Sequence, residues 1–219
     1  MFVEICKTTF KLLKKNFIFL TFFFIINIFI FRLSDTIFKY QLNESFLFQI
    51  KILFKLLENL LLIILIMVLS KSMGYSVNYI KSVRYLIFYT LLDLLVIIIP
   101  KSLFFVIILK MFLLFFPYLY FIENLNVNSS IKFSITLFKE LYVYIVLQFI
   151  TYFIILSFLV SIFLRDIDRN INVGDAIKIL EPKFPYLASV IFLVKTLFIA
   201  GLYFGFKIKT DNKNKNEDE

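Results

Sequence analysis

Three charged residues lie inside long apolar segments of this chain: Asp93, Lys110 and Lys195. A charge within hydrocarbon is costly, so each of them is expected to have a partner or a function. Asp93 lies seven residues before Pro100, and Lys110 lies ten residues after it. If the chain turns back at Pro100, the depths of the two side chains differ by only about 4–5 Å at 1.5 Å per residue. The spacing therefore predicts an Asp93–Lys110 ion pair, with Lys195 as the competing partner.

This charged group has three interpretations. The ion pair can pin the packing of two helices, the group can couple or bind a transported substrate, or the lysines can snorkel to a membrane surface. Two single polar residues in other apolar segments, Asn27 and Gln148, predict hydrogen bonds between helices. Glu123, just before a predicted surface helix, predicts a favourable interaction with the N-terminus of that helix rather than a catalytic role.

The remaining side chains disfavour enzyme chemistry. The chain has one cysteine, Cys6, and no histidine, which excludes a Ser-His-Asp or Cys-His catalytic set and disfavours zinc, haem and iron–sulfur sites. Four glycines cannot supply a Walker or dinucleotide-binding loop. The Asp166-x-Asp168 spacing is compatible with a weak divalent-cation site, but a solvated loop explains it better. We therefore expect no catalytic, metal or cofactor site, and a protein that is not an enzyme.

The composition points to a lipid environment. The 219 residues are 61% hydrophobic and 18% charged, with a mean hydropathy of +0.92, whereas soluble domains are roughly half apolar and about a quarter charged. The net charge is +9, and the lysines lie beside apolar segments. The expected partners are therefore membrane lipids with anionic headgroups, with other membrane proteins as a second class of partner, and not nucleic acid.

These patterns predict an all-α, polytopic integral membrane protein. A single membrane domain covers residues 1–206, and a disordered cytoplasmic tail follows over 207–219. Amphipathic surface helices precede each hairpin, over 1–15, within 71–84 and over 124–140. In the first of them, one face carries Phe2, Cys6, Thr9 and Leu13, and the other carries Lys7, Lys11, Lys14 and Lys15. The six predicted spans are about 16–31, 56–70, 85–99, 103–120, 141–164 and 184–206, with polar loops over 32–49 and 165–183.

The lysine and arginine residues are divided unevenly between the two sides of the predicted membrane. With the N-terminus in the cytoplasm, thirteen lie in inner segments and nine in outer segments. Because cytoplasmic loops carry an excess of positive charge, this distribution predicts that the N-terminus and the C-terminus are both cytoplasmic.

The stretch from residue 75 to 156 resembles a known arrangement. A short amphipathic lead-in precedes a span that ends at Pro100, and a second span ends in Leu114-Phe115-Phe116-Pro117-Tyr118. Glu123, a surface helix with Ser134 and another span follow, and the chain closes on Gly201-Leu202-Tyr203-Phe204. This pattern is similar to the YciC-like bacterial inner-membrane proteins and to the membrane domain of some glycerophosphodiester phosphodiesterases. The resemblance implies a six-span module of a bacterial cytoplasmic (inner) membrane, without an enzyme activity of its own.

Two functions fit these observations. The first is an accessory or organising membrane component that binds lipid or other membrane proteins through its surface helices. The second is a small transporter or permease subunit that uses Asp93, Lys110 and Lys195. The scarcity of glycine and proline inside the spans disfavours the second, since broken helices often build transport sites.

Overall fold

The computed structural model of the chain describes residues 1–39, 43–164, 175, 178 and 180–217, and every regular element in this part is helical. This confirms the all-α prediction. The charged loop with Asp166 and Asp168 lies largely outside the described residues. Short turns of 3-10 helix cover Pro100–Ser102 and Glu181–Lys183, and a π-helical turn covers Tyr118–Ile122. The α-helices are α1 (Phe2–Lys15), α2 (Phe17–Lys39), α3 (Glu44–Ser72), α4 (Tyr79–Ile98), α5 (Leu103–Phe112), α6 (Val127–Glu140), α7 (Tyr142–Leu164) and α8 (Phe184–Glu217).

Four helical segments are long and apolar enough to cross a membrane: Phe17–Ile37, Ser45–Ser72, Tyr142–Ile162 and Glu181–Asp211. The hairpin of α4 and α5 is not among them. Its first helix has 20 residues, about 30 Å at 1.5 Å per residue, and its second has only 10 residues, about 15 Å. The predicted span over 103–120 is therefore not one continuous helix, since α5 ends at Phe112.

Several helix ends differ from the predicted ones. The predicted loop over 32–49 is mostly helix, because α2 continues to Lys39 and α3 begins at Glu44, where the Asn43 side chain accepts a hydrogen bond from the Ser45 N–H at 3.2 Å. Likewise α8 continues to Glu217, so the predicted disorder from Lys207 is not seen. Once a helix has formed, adding polar residues costs little, and hydropathy alone misplaces its ends.

The predicted surface helix within 71–84 is also absent as a separate element. After α3 the chain turns at Gly74, whose φ of +90° favours glycine. Asn78 then caps α4 by accepting a hydrogen bond from the Lys81 N–H at 3.2 Å. Residues 79–84 are therefore the first turns of α4.

Helix α1 packs against another helix of the same chain, α8, which its amphipathic pattern did not reveal. A Cβ atom on Gly201 would overlap Thr9, and one on Gly205 would come within 3.0 Å of the Cα of Ile5, so α1 approaches α8 closely at both glycines. The pairing runs antiparallel, and α2 continues it through stacked rings of Phe23 and Phe192 at 6.0 Å. The buried stripe of α1 is Ile5, Thr8 and Leu12, so the predicted apolar face is rotated, and Phe2, Cys6 and Leu13 are exposed.

The buried core is concentrated at one end of the molecule. We define the packed end as residues 1–16, 63–86, 113–126 and 197–211. Its completely buried large side chains include Leu12, Leu69, Phe115, Tyr118, Phe121 and Phe204. By contrast, only 6% of the most apolar window of α7 is buried.

Candidate functional site

Asp93 and Lys110 form an ion pair across the hairpin of α4 and α5. The 3-10 turn over Pro100–Ser102 reverses the chain, and the Lys110 ammonium bonds the Oδ1 atom of Asp93. Asn59 of α3 donates from Nδ2 to the other carboxylate oxygen at 3.0 Å, and the same group lies 3.2 Å from Thr90 Oγ1. Both carboxylate oxygens therefore have a donor, and three helices meet at one partly buried charge.

Lys195 of α8, the predicted competing partner, does not form the ion pair with Asp93. Its side chain is exposed and interacts electrostatically with both charges, being attracted by Asp93 and repelled by Lys110. Within the part of the chain that the structure describes, Lys195 forms no ion pair. The Lys110 ammonium lies 4.1 Å from the centre of the Tyr89 ring, a favourable cation–π distance. The three predicted residues thus form one electrostatic group, in which Asp93 and Lys110 touch.

Asn59, Thr90 and Tyr89 complete this group, and spacing around Pro100 could not reveal them. Asn59 is a buried polar residue that follows Glu58 at the start of the most apolar part of α3, which was an available signal. Asp93 lies five residues before Ile98, the last residue of α4, or about 7–8 Å at 1.5 Å per residue. The pair is therefore nearer the Pro100 turn than the opposite end of α4.

A second charged pair joins Glu123 to Lys207 at the packed end. The Lys207 ammonium and the Tyr203 hydroxyl both donate to the Glu123 carboxylate. The ammonium also lies 4.9 Å from the centre of the Tyr75 ring. Burial, followed by the negative charges of Asp211 and Glu123, raises the pKa of Tyr75. The lysine therefore faces a neutral phenol, and its charge is balanced by the glutamate.

This arrangement corrects the predicted role of Glu123. The N-terminus of α6 is capped by Asn126, whose side chain accepts a hydrogen bond from the Ser129 N–H at 2.8 Å. The Glu123 side chain instead bonds α8. A capping residue must immediately precede its helix, and Asn126 holds that position, which leaves the carboxylate free to pair elsewhere.

The two predicted helix–helix amides have different outcomes. Gln148 of α7 donates to the Phe198 carbonyl of α8 at 2.8 Å, which is the expected kind of bond. Asn27 of α2 is completely buried, and neither its amide nitrogen nor its oxygen has a hydrogen-bond partner among the residues that the structure describes. The predicted helix–helix hydrogen bond of Asn27 was therefore wrong.

The return leg of the hairpin is a broken helix, defined here by residues 113–117. Helix α5 ends at Phe112, and Pro117 carries no N–H, so a regular helix cannot run through. Ser134 of α6 bonds both sides of the break: its hydroxyl donates to the Phe112 carbonyl at 2.8 Å and accepts from the Phe115 N–H at 3.3 Å. The freed backbone groups thus find a partner inside protein, as an apolar environment requires.

A π-helical turn, Tyr118–Ile122, follows the broken helix and fixes it to α4. The Asn78 N–H donates to the Phe121 carbonyl at 2.7 Å. The Lys81 ammonium donates to the carbonyls of Asn124 and Leu125, each at 2.7 Å. Asn124 has a φ of 59°, in the left-handed region that asparagine tolerates. The turn into α6 is therefore held by the Asn78 backbone and the Lys81 side chain at the start of α4.

Comparisons of the chain with protein-family models, with curated proteins and with solved structures give no match. The resemblance to the YciC-like proteins stays a prediction, and the function has to be inferred from the chain itself.

Proposed function

We propose that this chain is a multi-pass membrane protein that serves as an accessory or organising component and binds lipid or other membrane proteins along its apolar helices. It crosses the bacterial cytoplasmic membrane six times, with both termini in the cytoplasm. The observation that carries the proposal is α7, an apolar helix that the rest of the chain leaves almost uncovered.

Helix α7 has 23 residues, and a large apolar surface of it is exposed. The exposed side chains repeat over about half of its circumference at 100° per residue. Water is a poor solvent for such a surface, at about 25 cal/mol per Å² of apolar area. Lipid or the apolar face of a neighbouring membrane protein is the natural cover. The most exposed of these side chains are Tyr142, Val143, Ile150, Phe153, Ile154 and Phe158.

The hairpin supports six crossings rather than four. Helix α4 has 20 residues, about 30 Å, which matches the hydrocarbon thickness of a bilayer. The return leg covers the same distance through α5, the broken helix and the π-helical turn, because Asn78 bonds Phe121 where α4 begins. An irregular segment at this depth is tolerated where protein covers it, and α6 does so.

The topology can be tested with the single cysteine. Cys6 is exposed, so a membrane-impermeant maleimide should label it in inverted membrane vesicles and not in intact cells. The variant with Cys6→Ser and Lys101→Cys should show the opposite pattern, since Lys101 lies in the Pro100–Ser102 turn. Cys6→Ser alone is the unlabelled control. Protection of the cysteine at position 101 from both sides would reduce the crossings to four, and labelling of Cys6 in intact cells would reverse the orientation.

The organising role can be tested at α7 with a photo-crosslinking amino acid. Placed at Phe153, which is 63% exposed, it should capture lipid or a second membrane protein in native membranes. Placed at Phe204, which is completely buried, it should capture neither. An organising role is supported if one membrane protein is captured at position 153 in a constant molar ratio to this chain. If position 153 captures nothing, the proposal fails.

A second candidate, a transporter or permease subunit, is favoured by the charged group of Asp93, Lys110 and Lys195. A charge in an apolar environment commonly marks an ion or substrate path, and the broken helix is a feature of transport sites. In this case Asp93→Asn abolishes flux of the substrate while the protein still folds. In an accessory protein the same variant loses stability, and partner capture at position 153 survives wherever the variant folds.

A further inference from the structure

The broken helix leaves a pocket of about 250 Å³ between α4, α5 and α6 at the packed end. Its walls are almost wholly apolar and include Phe88 of α4, Leu113 and Phe116 from the break, and Val127 of α6. Among the residues that the structure describes, Arg84 of α4 is the only charged side chain in the lining. Asp93, Lys110 and Lys195 do not line it, so the pocket is separate from that charged group.

Arg84 is an available cation. Its side chain is exposed and has no hydrogen bond, ion pair or ring contact with any residue that the structure describes. Its neighbour Lys81 is by contrast held by two backbone carbonyls. The Lys81 ammonium lies 5.2 Å from the centre of the Tyr120 ring, and Tyr120 also lines the pocket. A second positive charge therefore stands beside the pocket and adds to its attraction for an anion.

We propose that this pocket binds one anionic phospholipid from the surrounding bilayer, with its phosphate on Arg84 and part of an acyl chain between the apolar walls. The proposal rests on the membrane insertion proposed above and deepens it by naming the lipid and its site. A guanidinium group matches the two oxygens of a phosphate with parallel N–H bonds. The apolar walls match the chain, and the pair of chemistries matches a lipid.

The depth of Arg84 suits a headgroup contact. It lies five residues after Tyr79, the first residue of α4, which is about 7–8 Å along the helix at 1.5 Å per residue. A long basic side chain near a helix end extends towards the membrane surface while its stem stays in apolar surroundings. The Arg84 guanidinium thus reaches the depth of the lipid phosphate groups, while the pocket beside it lies at the depth of the lipid acyl chains.

The size and opening of the pocket favour a single acyl chain. Pockets for whole drug-sized ligands are commonly about 300–1,000 Å³, and this one is smaller. Phe88 and Val127 are 41% and 47% exposed, so the pocket opens to the side of the bundle, where lipid chains lie. A soluble anion would use Arg84 and leave the apolar walls uncovered.

The test counts the lipids that remain on the full chain. The protein is placed in phosphatidylcholine nanodiscs with a minor fraction of phosphatidylglycerol, and native mass spectrometry counts the lipids retained after release. The wild-type chain should retain one phosphatidylglycerol. Arg84→Gln should lower that retention about tenfold or more, as expected for lost charge-assisted hydrogen bonds. Val127→Phe fills the pocket and should prevent both phosphatidylglycerol and phosphatidylcholine from binding there.

Two matched variants serve as controls. Lys101→Gln removes one exposed positive charge at the Pro100 turn, and Val143→Phe adds the same volume to the exposed face of α7. Both should retain phosphatidylglycerol as the wild type does. Retention at the wild-type level in Arg84→Gln would overturn the lipid site, and so would an equal loss in Lys101→Gln.

The labelling experiment keeps this proposal separate from the topology. If position 101 is labelled in intact cells and Arg84→Gln still retains phosphatidylglycerol, the lipid site falls and the six crossings stand. If position 101 is protected from both sides and Arg84→Gln loses the lipid, the six crossings fall and the lipid site stands.

Discussion

Two charged pairs in this molecule are built from the same parts. In each of them a lysine bonds a carboxylate and stands over a tyrosine ring, while a second donor bonds the same carboxylate. The pair at the packed end consists of Lys207 and Glu123, with Tyr75 and Tyr203. The pair in the hairpin consists of Lys110 and Asp93, with Tyr89 and Asn59.

The two pairs differ in what they join. Glu123 and Lys207 are 84 residues apart and tie the last helix to the turn before α6, within the densest part of the core. Asp93 and Lys110 are 17 residues apart and align two consecutive helices, with Lys195 as a third charge. The same contact therefore holds distant segments together in one place and sets the register of a hairpin in the other.

The largest effect is expected from Glu123→Ala. It leaves the Lys207 ammonium and the Tyr203 hydroxyl without their acceptor, at a cost of about 3 kcal/mol, as for a broken, partly buried pair. Unfolding of the protein in mixed detergent micelles measures this cost. Adding Lys207→Met should recover part of it, since the unpaired charge is then gone. A loss under about 1 kcal/mol would make this pair a weak surface contact and end its contrast with the hairpin pair.

Gly201→Ala tests whether the packed end is as dense as its buried side chains indicate. The added methyl group overlaps Thr9 of α1, and inserting volume into a filled contact costs about 2 kcal/mol. Thr9→Ala in the same chain should restore part of the stability in the same detergent titration. An unchanged unfolding midpoint in Gly201→Ala alone would show that α1 moves freely against α8.

Asp93→Asn is expected to cost less, about 1.5 kcal/mol, because asparagine keeps an oxygen that can still accept a hydrogen bond from Asn59. Lys110→Met should cost a similar amount, and the double variant should cost less than the sum, since both changes remove one interaction. The comparison breaks if Asp93→Asn destabilises the protein as much as Glu123→Ala does.

Ser134→Ala should have the smallest effect, about 0.6 kcal/mol, the average of a hydrogen bond between membrane helices. Ser134 bonds the backbone on both sides of the break, so amide exchange at Phe115 should accelerate in the variant. Thr136→Ala, in the same helix, loses only the hydrogen bond that the Thr136 hydroxyl donates to the Lys132 carbonyl of that helix. This variant serves as the control. Equal exchange at Phe115 in both variants would remove Ser134 from its role at the break.

The difference between the pairs also explains which of them the sequence reveals. The turn at Pro100 fixes the depths of Asp93 and Lys110 by counting residues, so their proximity follows from helix geometry. No count relates Glu123 to Lys207, because their contact depends on where α8 packs. The partners Asn59 and Tyr203 are likewise set by tertiary packing, which local periodicity does not contain.

Helix type was easier to predict than helix ends. Apolar runs identify α2, α7 and α8, whose helical lengths exceed the thickness of the hydrocarbon core of a bilayer. Polar residues at Arg32 and Asp35 suggest a loop, yet they continue α2, since polar helix turns beyond the apolar run meet no penalty. The extent of the broken helix could not be predicted, because Phe112–Tyr118 is apolar throughout and only Pro117 marks the break.

The contact of α1 with Gly201 and Gly205 has a consequence for biosynthesis. The ribosome produces α1 well before α8, so α1 lacks this partner until α8 has been synthesised. During that interval its buried stripe, Ile5, Thr8 and Leu12, is open to chaperones and proteases. A chain interrupted before residue 201 cannot form this contact. The apolar stripe of α1 then stays without its partner and marks the chain as incomplete.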